Sequence, residues 1–97
     1  MLPQQKEAFG EFYKSANQNG ILDDKTTLMI HLAAAMALGC YPCMEHYLAQ
    51  TDKAGLTSDE ISAVQAIVMA VSAGKVNAQL QEVRKKNAPC CDDTACG

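Results

Sequence analysis

Eleven consecutive residues, Leu28 to Leu38, contain a single polar side chain, His31. Four of them are alanines, Ala33, Ala34, Ala35 and Ala37, which let a neighbouring helix approach closely. A segment apolar nearly all round, with no alternation of β-branched residues, is expected to be a helix at the centre of a bundle. Around it the chain reads as all-α, with about five helices and no strand.

The first helix is expected over Pro3 to Ala16, where Ala8, Phe9, Phe12, Tyr13 and Ala16 recur at helical spacing and Pro3 is tolerated in the first turn. Asn17, Asn19 and Gly20 make a turn, and Asp23 or Asp24 can cap the central helix. Gly39 ends or bends that helix. A third helix is expected from Cys40 to about Ala54, closed by Gly55 in the left-handed conformation. Thr57-Ser58-Asp59-Glu60 reads as a capping box for a fourth helix to about Val71, whose apolar residues exceed what a small monomer buries. Ser72-Ala73-Gly74 is expected to break the pattern before a last helix with Val76, Leu80 and Val83 on one face, ending near Lys86. This gives one domain over residues 1–88. Residues 89–97, with Cys90, Cys91 and Cys96, have almost nothing to bury and are expected to form a flexible tail.

Ninety-seven residues with 48% apolar content suit a single core. The formal charge of -3 argues against a nucleic-acid surface, which needs clustered Lys and Arg. No nucleic acid and no membrane partner is expected. Five cysteines, three of them in the last eight residues, fit a secreted disulfide framework poorly, and no secretory leader is visible, so a cytoplasmic protein is expected.

The residues that carry chemistry are Cys40-Tyr41-Pro42-Cys43 at the start of the third helix. Free amides and the macrodipole favour a thiolate in a first helical turn, and the thiolate is the nucleophile in peroxide reduction and disulfide exchange. Cys40, one turn earlier, can close a disulfide. Pro42 stiffens the spacer. His46, three residues after Cys43, can take its proton or pair with its thiolate. A two-residue cysteine spacer also serves metal sites, so a second reading has Cys40, Cys43, His46 and a tail cysteine holding zinc or another soft ion.

The segment LDDKTTLMIHLAAAMALGCYPCMEHYLAQTDKAGLTSDEISAV resembles the core of the carboxymuconolactone decarboxylase and alkylhydroperoxidase-D superfamily. The resemblance covers about residues 5 to 85. It rests on an alanine-rich apolar helix running into Gly39-Cys40, Cys43 two residues on, a further helix, and then Ala54-Gly55-Leu56-Thr57 with Glu60-Ile61. It implies an all-α, alkylhydroperoxidase-D-like bundle that pairs into dimers and larger rings up to hexamers. In members with both cysteines it implies thiol-dependent peroxidase activity that needs no cofactor. Carried over, Cys43 attacks a peroxide or disulfide substrate, Cys40 resolves it, and a thiol electron donor recharges the pair. Members without the cysteines do other chemistry, which leaves a non-redox, decarboxylase-like reading open.

This chain departs from the family pattern in its proton relay. The family's histidine commonly stands four residues after the second cysteine, where this chain has Tyr47. His46 is one position early, about 100° around the helix. The family's glutamate commonly stands twelve residues before the first cysteine, where this chain has Leu28. His31, one turn on, faces a similar direction and is a candidate replacement; its alternative is a core histidine hydrogen-bonded to backbone. Tyr47 can bring its hydroxyl near the sulfurs or simply pack. Glu45 is expected to face solvent. The tail cysteines can shuttle electrons to the Cys40–Cys43 pair or bind a soft metal.

Overall fold

A hydrogen bond at each helix boundary shows how local sequence sets the architecture. In the computed structural model, which describes residues 1–87, the elements are α1 (Pro3–Asn17), α2 (Asp24–Leu38), α3 (Tyr41–Leu48), α4 (Thr51–Ala54) and α5 (Ser58–Asn87), with no strand among the described residues. The expected tail with Cys90, Cys91 and Cys96 lies outside those residues.

After α1 the Asn19 side chain closes the turn. Its Oδ1 accepts from the backbone N–H groups of Ile21 at 2.8 Å and Leu22 at 2.7 Å, around Gly20 at φ 74°. Asp23 caps α2, its Oδ1 accepting from the Thr26 N–H at 2.6 Å, and this bond holds the carboxyl below the usual carboxylate range. Gly39, at φ 68°, ends α2 by turning its N–H back to the last carbonyls. The Cys40 N–H then donates to the Ala35 carbonyl at 2.9 Å, which swings the chain straight into α3.

The expected single helix from Cys40 to Ala54 is interrupted. The Gln50 N–H bonds back to Tyr47, three residues away, and the Thr51 hydroxyl donates to the Leu48 carbonyl at 2.8 Å, so the turn tightens and α4 restarts as a single turn. Gly55, at φ 76°, closes it.

The Thr57 capping box forms as read: the Thr57 N–H donates to Glu60 Oε1 at 3.0 Å and the Glu60 N–H to Thr57 Oγ1 at 3.1 Å. The other Glu60 oxygen pairs with Lys25 Nζ at 2.8 Å, fastening the start of α5 to that of α2. The expected break at Ser72-Ala73-Gly74 does not occur, and α5 runs unbroken for 30 residues, about 45 Å at the usual helical rise. One glycine among good helix formers costs only about 1 kcal/mol, and Gly74 keeps an ordinary φ.

The core lies along α2: Leu28, Leu32 and Ala35 are buried with Tyr47, Leu56 and Val64, and Leu32 is fully enclosed. The first helix does not deliver its expected apolar stripe. It has no buried residue, Phe9 and Phe12 are exposed, and only Tyr13 packs against the core. Every side chain of α5 from Met69 to Asn87 is likewise exposed. The radius of gyration is 19.3 Å, against roughly 12–13 Å for a compact domain of this length.

Candidate active site

Cys40 is the N-cap residue of α3, Pro42 lies in the first turn, and Cys43 follows within the same turn. Cys43 thus belongs to the first turn, whose backbone N–H groups have no helical partner. Cys40 and Cys43 are joined by a disulfide with their Cα atoms 5.3 Å apart, well inside the span such bonds require. Both residues are half-buried, and Cys43 packs against the core cluster that contains Tyr47.

One helical turn beyond Cys43 stand His46 and Tyr47. Tyr47 is buried and forms the centre of a group of rings. His31 of α2 stacks on it with centroids 4.5 Å apart and planes inclined by 15°. His46 meets it edge-on at 5.2 Å. From α1, Tyr13 lies 6.2 Å from the His31 ring and shares a hydrogen bond between its hydroxyl and that of Tyr47. Helical spacing from Cys43 brings His46 and Tyr47 to the same side of α3; α2 supplies His31 because Leu28, Leu32 and Ala35 fix the rotation of that helix in the core.

The electrostatics divide labour among these groups. Burial, and secondarily the neighbouring His46, push the His31 pKa below its ordinary value, so at neutral pH its imidazole is an uncharged base. Burial, with the Tyr13 bond as a further cause, pushes the Tyr47 hydroxyl up to about 12, so it stays protonated and can donate. The His31 imidazole has no hydrogen-bond partner among the described residues, so the backbone-bonded core histidine is not what the structure contains. It is half-buried and lines a cleft of about 490 Å³ that also reaches His46, Tyr47, Asp24, Gln50 and Lys53. The two cysteines do not line this cleft. Tyr47 lines the cleft and also belongs to the core cluster against which Cys43 packs.

Leu28, at the position of the family's glutamate, is a buried core residue, and Glu45 is exposed. Leu48, next to Tyr47 on α3, is exposed, whereas Thr51 is buried. Of the expected site residues, His31, His46 and Tyr47 are gathered by ring contacts and Cys40 and Cys43 by their disulfide, with Cys43 packed on the core cluster that includes Tyr47. Sequence reading missed Tyr13. Its signal was slight: among the aromatic residues of α1 it alone carries a hydroxyl. Among the described residues no group of three or more His, Cys, Asp or Glu side chains is gathered as metal ligands, and the tail cysteine that the soft-metal reading needs lies outside them.

The described residues thus join an all-α fold, a Cys-x-x-Cys disulfide at a helix start and a histidine and tyrosine cluster that includes the following turn of that helix. The model of the carboxymuconolactone decarboxylase family matches residues 3–85, and the chain belongs to that family. No curated protein matches the chain. No solved structure matches it either.

Proposed function

We propose that this chain is a thiol-dependent oxidoreductase that reduces peroxides or disulfides through Cys43 and Cys40. The observation that carries the reading is the disulfide between the N-cap and first turn of α3. In the reduced protein the Cys43 thiolate attacks one peroxide oxygen; the O–O bond breaks, the alcohol leaves with a proton, and Cys43 becomes a sulfenic acid. The Cys40 thiol then displaces water and closes the disulfide. A thiol donor supplies two electrons and two protons to reopen it, and no cofactor takes part. With a disulfide substrate the same thiolate forms a mixed disulfide, and Cys40 resolves it.

His46 takes the Cys43 proton, while neutral His31 and the protonated Tyr47 hydroxyl replace the family's histidine and glutamate. A relay without a carboxylate favours disulfide exchange over fast peroxide reduction, because exchange needs a thiolate and a resolving thiol but no dedicated acid. We place the protein in the reducing cytoplasm and assign it a homo-oligomer. Its support is the exposed α5 stripe of Met69, Val76, Leu80 and Val83, in which Met69, Val76 and Val83 recur every seven residues, as in helices that pair. By length and composition α5 could also cross a membrane, but Ile61 and Val64 pack its first half into the protein core. Peroxide consumption with a dithiol donor tests the reading: Cys43→Ser should abolish it, and Cys40→Ser should trap Cys43 as a sulfenic acid or mixed disulfide.

One observation favours a second reading. The polar cleft is lined by His31, His46, Tyr47 and Lys53 but not by the thiols. A non-redox, decarboxylase-like reaction there would leave Cys43→Ser fully active.

A further inference from the structure

We propose that Tyr13 is a positioning residue of the thiol centre: from α1 it holds the Tyr47 hydroxyl, and through it the Tyr47–His31 stack beside Cys43. The proposal rests on the oxidoreductase reading above and adds α1 to the working parts of the site.

The manner in which α1 attaches supports it. If apolar burial held this helix, Phe9 and Phe12 would be inside; they are 54% and 69% exposed. The one ring of α1 that packs on the core cluster is the one with a hydroxyl, and that hydroxyl reaches Tyr47 across 34 positions of sequence. The Tyr13 ring also lies 6.2 Å from His31, so Tyr13 touches both members of the stack. A buried tyrosine needs a partner for its hydroxyl, and the atom chosen decides where that hydroxyl points. The partner the Tyr47 hydroxyl has among the described residues is that of Tyr13, on α1. Without Tyr13 the Tyr47 ring can keep its packing, but its hydroxyl loses a fixed orientation relative to Cys43 and His31.

The test is a double-mutant cycle on the reduced protein: Tyr13→Phe, Tyr47→Phe and both together, each read by the pH profile of Cys43 alkylation and by the absorbance titration of tyrosine at high pH. Phenylalanine keeps the ring and removes the oxygen. The expected result is that Tyr13→Phe shifts the alkylation profile in the same direction as Tyr47→Phe, changing the rate at pH 7 by about 3- to 10-fold. The double variant should be no further displaced than Tyr47→Phe alone, because groups acting as a unit are non-additive. Tyr13→Phe should also lower the high Tyr47 titration. Phe12→Ala, a change on the same helix that leaves both hydroxyls, should leave the profile in place. An unmoved profile in Tyr13→Phe, additive shifts in the double variant, or an equal shift in Phe12→Ala would each overturn the proposal. Neither readout requires turnover. An active Cys43→Ser would therefore defeat the oxidoreductase reading while leaving the Tyr13 result to stand or fall by itself.

Discussion

Helices α2 and α5 are both apolar over much of their surface, yet they end in opposite environments. Along α2, Thr27, Leu28, Leu32 and Ala35 are buried against α3, α4 and α5. Along α5 only Val64 is buried, and Ile67, Met69, Val71, Val76, Leu80 and Val83 are exposed. The contrast separates two meanings of apolar periodicity. In α2 it specifies contacts within the chain; in α5 it specifies a surface that remains to be covered, and by the reading above a second copy covers it. Truncating the first should cost folding energy, and charging the second should cost assembly.

The largest expected effect is on α2. Leu32→Ala removes the most enclosed side chain and should destabilise the fold by about 2–5 kcal/mol in denaturant unfolding. A loss below about 1 kcal/mol would mean that α2 is not the centre of the core. Leu80→Glu should change the stability of a separated chain by only about 0.5 kcal/mol or less. It should, however, lower the mass measured by light scattering; an unchanged mass would remove α5 from the interface. Gly74→Ala sharpens the comparison within α5. A Cβ there meets nothing within 4 Å and the backbone has no positive φ, so a continuous helix should gain about 0.4–1 kcal/mol. Destabilisation would show that the chain bends at Gly74 as the sequence suggested.

The smallest effect is a pH dependence from α2. Burial depresses the folded pKa of His31 below its ordinary 6.5, so the unfolded chain binds the proton more readily. Stability should therefore be fully present above about pH 6.5 and decline as pH falls toward the lowered value. His31→Gln should flatten that decline. The Asp23 and Glu60 carboxyls, whose pKa values are lowered by hydrogen bonding to Thr26 and Lys25 respectively, act in a separate window below their ordinary 3.8 and 4.5. A decline of equal size in His31→Gln between pH 6.5 and 5 would show that another group carries it.

What the sequence discloses follows from the range of the interactions involved. Asp23 with Thr26, Thr57 with Glu60, and the left-handed glycines Gly39 and Gly55 act within five residues, and each is legible before any fold is known. The disulfide between Cys40 and Cys43 and the placement of His46 and Tyr47 on α3 are local in the same sense. The stack of His31 on Tyr47 was half legible, because an isolated histidine in an apolar helix must find some neighbour. The Tyr13 contact was not, since it joins residues 34 positions apart and no periodicity encodes where α1 comes to lie. The two misplaced helix breaks have local causes of small energy: Ser72-Ala73-Gly74 is too weak to stop α5, and a single hydroxyl bond from Thr51 suffices to interrupt α3.

The central claim is that Cys43 is an activated thiol served by the groups one turn along α3. It is tested most directly by the pH dependence of Cys43 alkylation in the reduced protein, compared between the native chain and His46→Ala. The account predicts a thiol pKa below the ordinary value of about 8.5, rising toward it in the variant. A pKa near about 8.5 that ignores His46 would contradict the account and leave the cysteine pair a structural brace at the start of α3.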